Sequence, residues 1–206
     1  MFLSQRRVLC RGTSVAVAVL LLGAIEVSGE DSGSVRLFAS GATWEEFAAG
    51  LQAQRDLWSK TIASARLPPD TVERFRRVSG GVRFLVVAED WCPDSVNVVP
   101  YVAELSRSAA VPLRIVNRTI GEPVMRLHPT PDGRPATPTI VVLRRSGDAG
   151  AWVERPAVLQ RWFLSMSTDA ESARQFANRQ SWYDADQGRT VVDEIIALVA
   201  RTSPSR

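Results

Sequence analysis

The feature that most constrains this chain is the passage from Val82 to Ser95. Val82 to Ala88 (Val-Arg-Phe-Leu-Val-Val-Ala) is apolar and β-branched almost without interruption, which predicts a strand buried on both faces. Trp91-Cys92-Pro93-Asp94-Ser95 follows at once, and Val96, Val99, Val102, Ala103 and Leu105 then fall on one helical face. Pro93 suits a first helical turn, where its missing N–H costs nothing. Pro100 lies inside the pattern and is expected to kink or divide the helix. Cys92 therefore stands where a buried strand ends and a helix opens. Free N–H groups and a partial positive charge of about +0.5 at a helix N terminus stabilise an anion there. A cysteine in that place is a candidate nucleophile; the alternative is a small apolar side chain packed under the helix. Glu89, Asp90 and Asp94 oppose the helix end, while Arg134 could fold back to offset them. The plainer readings are solvated strand-end charges for Glu89 and Asp90, and a complement to the helix dipole for Asp94.

Elsewhere the pattern alternates strands and helices. Thr43-Trp44-Glu45-Glu46 is a capping box. Trp44, Phe47, Ala48, Leu51, Arg55, Trp58 and Ile62 continue from it at helical spacing and predict one amphipathic helix over 44–65. A short helix over 70–78 ends at Gly80-Gly81. Strands are expected at 111–117, at 139–144 and around Trp152-Val153-Glu154, with Ser146 to Gly150 as the turn between the last two. A short helix over 121–128 and a proline-rich loop from Pro129 to Pro138 separate the second and third strands. Beyond Pro156 three helices are expected, over 157–165, 168–182 and 188–201. Trp44, Phe47, Trp58, Trp162, Phe163 and Trp182 read as core. The order is β-α-β-α-β-β-α with a helical preface and tail. It implies an α/β fold in one domain: residues 43–81 as an N-terminal helical extension joined to a core over 82–206.

The N terminus reads separately. Arg6, Arg7 and Arg11 precede an apolar run from Val15 to Ile25, and small residues follow at Val27-Ser28-Gly29. That is the layout of a secretory signal over 1–29, or of an uncleaved anchor, with residues 30–42 as a Gly/Ser-rich linker. The folded part is then exported: periplasmic, secreted or tethered on the outer side. Cys10 precedes the apolar run, so it leaves with the signal or stays across the membrane from Cys92. Cys92 then has no partner in its own domain, and such a thiol pairs with another molecule or reacts.

Composition removes other classes. The net charge of +3 comes from scattered arginines, with Lys60 the one lysine, and no basic cluster interleaved with aromatics suggests nucleic acid. No phosphate-binding glycine loop is present, and no cofactor is expected. The single histidine, His128, sits before Pro129 and reads as a surface residue, and one Cys with one His gives no metal-ligand spacing.

In its middle third the chain resembles the thioredoxin superfamily. Trp91-Cys92-Pro93-Asp94-Ser95 is similar to that family's W-C-x-x-C active site, and Thr137-Pro138-Thr139 stands where the family places a cis-proline facing the cysteine. Trp152-Val153-Glu154-Arg155-Pro156 resembles a W-x-x-R-P-like stretch in a bacterial branch that also has W-C-x-D-C and an N-terminal helical region. The resemblance implies a thioredoxin-like three-layer core. Within it Cys92 would be the attacking thiol and Ser95 would take the resolving position without a thiol. Trp91, Pro93, Asp94, Thr137 and Pro138 would line the groove for an extended substrate. A C-x-x-S motif cannot complete a dithiol cycle, because a serine hydroxyl cannot release a mixed disulfide. Val86 occupies the place where thioredoxins hold a buried acid that serves the resolving cysteine, so the two departures agree. Two functions follow: monothiol exchange through Cys92 with an external thiol as resolver, the partner being a protein or small-molecule disulfide; or a redox-inactive module that binds an extended peptide or partner protein. Peroxide reduction through a sulfenic acid ranks behind both.

Overall fold

The computed structural model describes residues 33–166 and 168–203. The signal or anchor reading of residues 1–29, including Cys10, lies outside the described residues. At the centre is a four-stranded sheet in the order β2-β1-β3-β4, built from β1 (Arg83–Val87), β2 (Leu113–Val116), β3 (Thr139–Arg144) and β4 (Gly147–Val153). β1 pairs parallel with β2, and the helix between them supplies the crossover that a parallel pair requires. β3 runs antiparallel to β1, and β4 antiparallel to β3. Both faces of β1 are covered, as its unbroken apolar run requires. Phe84 and Val86 point into the larger core, with Trp58, Phe75, Val99, Val102, Leu105 and Ile195. Leu85 and Val87 point the other way, against Val116, Val124, Met125, Val141 and Leu143.

The helices fall into two layers. α3 (Arg55–Ser64), α4 (Pro69–Arg76), α5 (Pro93–Ser108) and α10 (Arg189–Arg201) pack with the larger core; α1 (Gly33–Ser40) and α6 (Arg118–Leu127) cover the opposite face. Full burial of an aromatic such as Trp58 or Phe84 contributes roughly 1.5–3 kcal/mol. At the end of β3, buried Arg144 donates to the carbonyls of Gly80 and Val199 and to Ser203 Oγ, tying the turn before β1 to the end of α10.

Several expectations need correction. Most of the stretch read as a 30–42 linker is helical: α1 occupies Gly33–Ser40 and brings Leu37 and Phe38 onto the second face of the sheet. Its glycines and serines sit at the helix ends, which makes a short helix look like a linker. After it, Ala42 and Ile115 exchange backbone hydrogen bonds of 2.8 Å on the free edge of β2. Gly41 fits there because a Cβ would come within 2.9 Å of Arg114 Cβ.

The single helix over 44–65 is two, α2 (Trp44–Ala49) and α3. The capping box forms at Thr43 and Glu46 as the spacing required. Gly50 then caps α2, and the amides of Gln52 and Ala53 leave the helical register to donate to Asp90 Oδ2 at 2.8 and 2.9 Å. A carboxylate elsewhere in the chain thus competes successfully for two N–H groups. α5 is not divided at Pro100 but runs unbroken over sixteen residues, with Pro100 buried in tertiary packing. β4 starts at Gly147, inside the stretch read as a turn. The tail comprises α7 (Ala157–Ser165), α8 (Ala170–Ala177), α9 (Arg179–Asp186) and α10, with a break at Asn178 where one helix was expected.

Candidate functional site

Cys92 is the N-cap residue of α5, in extended backbone at φ −80° and ψ 118°, with Pro93 opening the first turn. Its carbonyl accepts the Val96 N–H at 3.1 Å, so the helix starts at the cysteine itself. The side chain does not cap the helix. Instead Sγ donates to the carbonyl oxygen of Thr137 at 3.2 Å, across 45 residues of sequence. The Thr137–Pro138 bond is cis, the conformation that the resemblance implied. The carbonyl of Pro138 accepts the Glu154 N–H at 2.7 Å, which joins the proline loop to the end of β4. Cys92 keeps 8% of its surface, whereas the neighbouring Trp91 is 54% exposed. The thiol is therefore recessed while the adjacent indole is open to solvent.

The loop before Cys92 is held from α3 and the turn that precedes it. Trp58 Nε1 donates to the Asp90 carbonyl at 2.8 Å, and Gln54 Nε2 donates to the Trp91 carbonyl. The Asp90 carboxyl is held below the usual range, chiefly by the N–H groups of Ala53 and Gln52. Glu89 Oε1 accepts the Arg118 N–H at 2.7 Å. Both acids, read as solvated strand-end charges, are structural acceptors that fix the loop. Beside them a groove of about 380 Å³ opens between α2 and the carboxyl ends of β1 and β2, lined by Phe47, Leu51, Glu89, Asp90, Asn117 and Ile120.

The structure brings Trp91, Cys92, Thr137 and Pro138 together. Ser95 is fully buried one turn into α5, its Oγ 3.5 Å from the Glu89 amide. Val86 is fully buried among apolar side chains.

Asp94 does not line an open groove. It is turned inward and buried, and its Oδ2 accepts from Arg155 Nη2 at 3.0 Å and Nε at 3.3 Å. Its Oδ1 accepts from the Tyr183 hydroxyl at 2.8 Å. Arg155 also donates to Glu154 and to Gln160 Oε1, and lies over the rings of Phe163 and Phe176 at 4.6 and 5.0 Å. Burial pushes the Glu154 carboxyl up, even with Arg134 and Arg155 beside it. Burial, and then the Asp94 charge, hold the Tyr183 hydroxyl well above its ordinary range, so it remains a donor. Arg134 reaches Asp132 and Glu154 rather than the sulfur, and Phe163 serves this network rather than the main core.

Sequence reasoning missed Arg155, Glu154 and Tyr183 as neighbours of the site. Arg155 lies in the W-x-x-R-P-like stretch, which was the available signal. His128 is not the surface residue expected: it pairs with Asp148 at 2.7 Å, mostly buried, at the end of the sheet away from Cys92. Burial raises the Asp148 carboxyl, but the His128 hydrogen bond and charge outweigh it and hold it below the usual range. Among the described residues no group of three His, Cys, Asp or Glu is arranged to hold a metal ion, and no helix is long and apolar enough to cross a membrane.

The sequence model of a thioredoxin family matches residues 41–174. Two solved structures are similar in fold. A crystal structure of a protein of unknown function from Pseudomonas aeruginosa is 21% identical with a TM-score of 0.62, covering 81% of this chain and 96% of that one. A crystal structure of an HIV epitope-scaffold is also 21% identical with a TM-score of 0.60, covering 80% of this chain and 95% of that one. No curated protein sequence is significantly similar to the chain.

Proposed function

This chain belongs to the thioredoxin family, and on that footing we propose that it carries out monothiol exchange through Cys92. One observation carries the reading: Cys92 Sγ, at the head of α5, lies against the backbone of the cis-proline loop, while buried Ser95 fills the resolving position. An extended peptide with a disulfide, laid beside Trp91 and Pro138, would present a sulfur to that thiol. The Cys92 thiolate attacks one sulfur of R–S–S–R′. A bond forms between Sγ and RS, the original S–S bond breaks, and R′S⁻ leaves with the electron pair. An external thiolate R″S⁻ then attacks the RS sulfur of the adduct. It forms R–S–S–R″ and returns Cys92 as thiolate. The sum is an exchange of thiol partners with no net oxidation. The apolar run at Val15–Ile25 behind three arginines supports an exported site of action, where disulfide substrates persist.

The test incubates the reduced protein with a short peptide disulfide and reads the mass of the Cys92-containing peptide. The expected result is a mixed disulfide at Cys92, absent in Cys92→Ser and discharged by added glutathione. If no adduct forms under conditions in which free cysteine reacts fully, exchange is refuted. The low exposure of Cys92 against that of Trp91 favours a second reading, a module that binds an extended peptide without chemistry. Peptide binding that survives Cys92→Ser, with no adduct, would select it.

A further inference from the structure

The side chains behind Cys92 join the two halves of the site. Asp94 stands two residues beyond Cys92 in the first turn of α5. Arg155 follows Glu154, whose N–H holds the carbonyl of Pro138. The Arg155–Asp94 pair therefore bridges the cysteine side and the proline side, parallel to the Cys92–Thr137 contact. The C-terminal tail completes the arrangement. Tyr183 from α9 donates to the second Asp94 oxygen, Asn97 and Gln180 exchange side-chain hydrogen bonds of 2.9 and 3.1 Å, and Phe163 and Phe176 flank the guanidinium. A buried ion pair contributes little net stability over well-packed apolar side chains of similar volume. What it supplies here is direction, since the planar guanidinium and the two carboxylate oxygens admit few relative orientations.

We propose that Asp94, Arg155 and Tyr183 form a positioning unit that holds Cys92 Sγ against the Thr137 carbonyl, and so sets its register toward a disulfide lying along the Pro138 loop. The register toward a substrate rests on the exchange reading; the hold on the sulfur does not. The tail helices are thereby part of the site, acting through α5 without touching substrate.

The experiment compares the full chain with its Asp94→Asn and Tyr183→Phe variants. Alkylation of Cys92 by iodoacetamide is read by mass spectrometry of the Cys92 peptide, so that Cys10 does not contribute, beside the rate of adduct formation with the peptide disulfide. Freeing the sulfur from Thr137 should speed alkylation about fivefold or more, the equivalent of one neutral hydrogen bond. The peptide-disulfide rate should fall. Loss of stability alone would not move the two rates in opposite directions. A series at low urea separates local release, which is insensitive to denaturant, from global unfolding, which follows the equilibrium m value. Tyr183→Phe removes a hydroxyl and leaves every charge in place. If it alkylates at the wild-type rate, or only along the global-unfolding slope, the proposal is overturned, whatever Asp94→Asn does. If the wild type forms no peptide adduct, the exchange reading falls, and the alkylation rates alone decide whether the unit holds the sulfur.

Discussion

Replacing Arg155 with methionine isolates the energetics of the buried charges. Methionine keeps a flexible apolar stem between Phe163 and Phe176 but removes both guanidinium donors to Asp94. Glu154 keeps Arg134, whose Nη2 lies 3.1 Å away. Asp94 keeps only the neutral hydroxyl of Tyr183, so the cost concentrates there. Removing one member of a buried pair typically destabilises by about 3–5 kcal/mol, because the other charge remains without compensation. A domain with roughly 5–15 kcal/mol of stability survives that loss. With an m value of about 2 kcal/mol/M in urea, the midpoint should fall by about 2 M. Adding Asp94→Asn removes the stranded charge and leaves an oxygen for Tyr183. The double variant should therefore recover about half the loss or more, a coupling of at least about 2 kcal/mol. Urea unfolding followed by circular dichroism, with m unchanged across the set, is the assay. If the double variant loses the sum of the two single effects, Asp94 and Arg155 are not energetically paired and the account of the network fails.

Four further outcomes follow from single positions. Gly188 has φ +72° and its Cβ would lie 2.2 Å from the Tyr101 ring, so Gly188→Ala should cost about 2–4 kcal/mol. Gly81, at φ +70° in open space, should lose only about 1 kcal/mol as alanine, with both glycine variants compared by urea unfolding. Trp58→Phe leaves the Asp90 carbonyl without its indole donor and opens a small cavity, for a loss of about 2 kcal/mol in urea unfolding. The Asp132 carboxyl is lowered from 3.8 to about 2 by Arg134, so its contribution is present above the unfolded value and lost as pH falls through about 2. The full shift would correspond to about 2.4 kcal/mol, but Arg134 is 40% exposed and screening reduces this to about 1 kcal/mol. Asp132→Asn should therefore differ from wild type near neutrality and converge with it near pH 2.

The parts legible from the sequence are those fixed by local pattern. The β1 run, the Pro93 helix start and the Thr43 capping box each carry their cause within a few residues, and all three form where expected. What escaped was decided by distant groups. The break between α2 and α3 exists because Asp90, 37 and 38 residues away, takes the amides of Ala53 and Gln52. α1 exists because Leu37 and Phe38 find the second face of the sheet, which a reading of Gly and Ser content cannot anticipate. The sequence places Asp94 in the groove and at the helix dipole because its partners lie 61 and 89 residues downstream. Contacts of that range leave no periodicity to read.

The placement of the buried acid connects these observations. By the resemblance to thioredoxins, the strand position held by Val86 is the one from which a buried acid would serve a second active-site cysteine. In this chain Val86 is enclosed by apolar side chains and no second thiol follows at Ser95. A carboxylate is still buried behind the cysteine, but it comes from Asp94 in the helix, not from the strand, and its charge is met by Arg155. An acid paired with a guanidinium through one oxygen and a tyrosine hydroxyl through the other has both carboxylate oxygens engaged. It is well suited to hold a helix end at a fixed distance from β4. Val86, Ser95 and Asp94 thus agree with one another: neither the strand nor the first turn of α5 offers a second thiol or an unpaired acid, and the carboxylate behind Cys92 ties the head of α5 to the residues after β4.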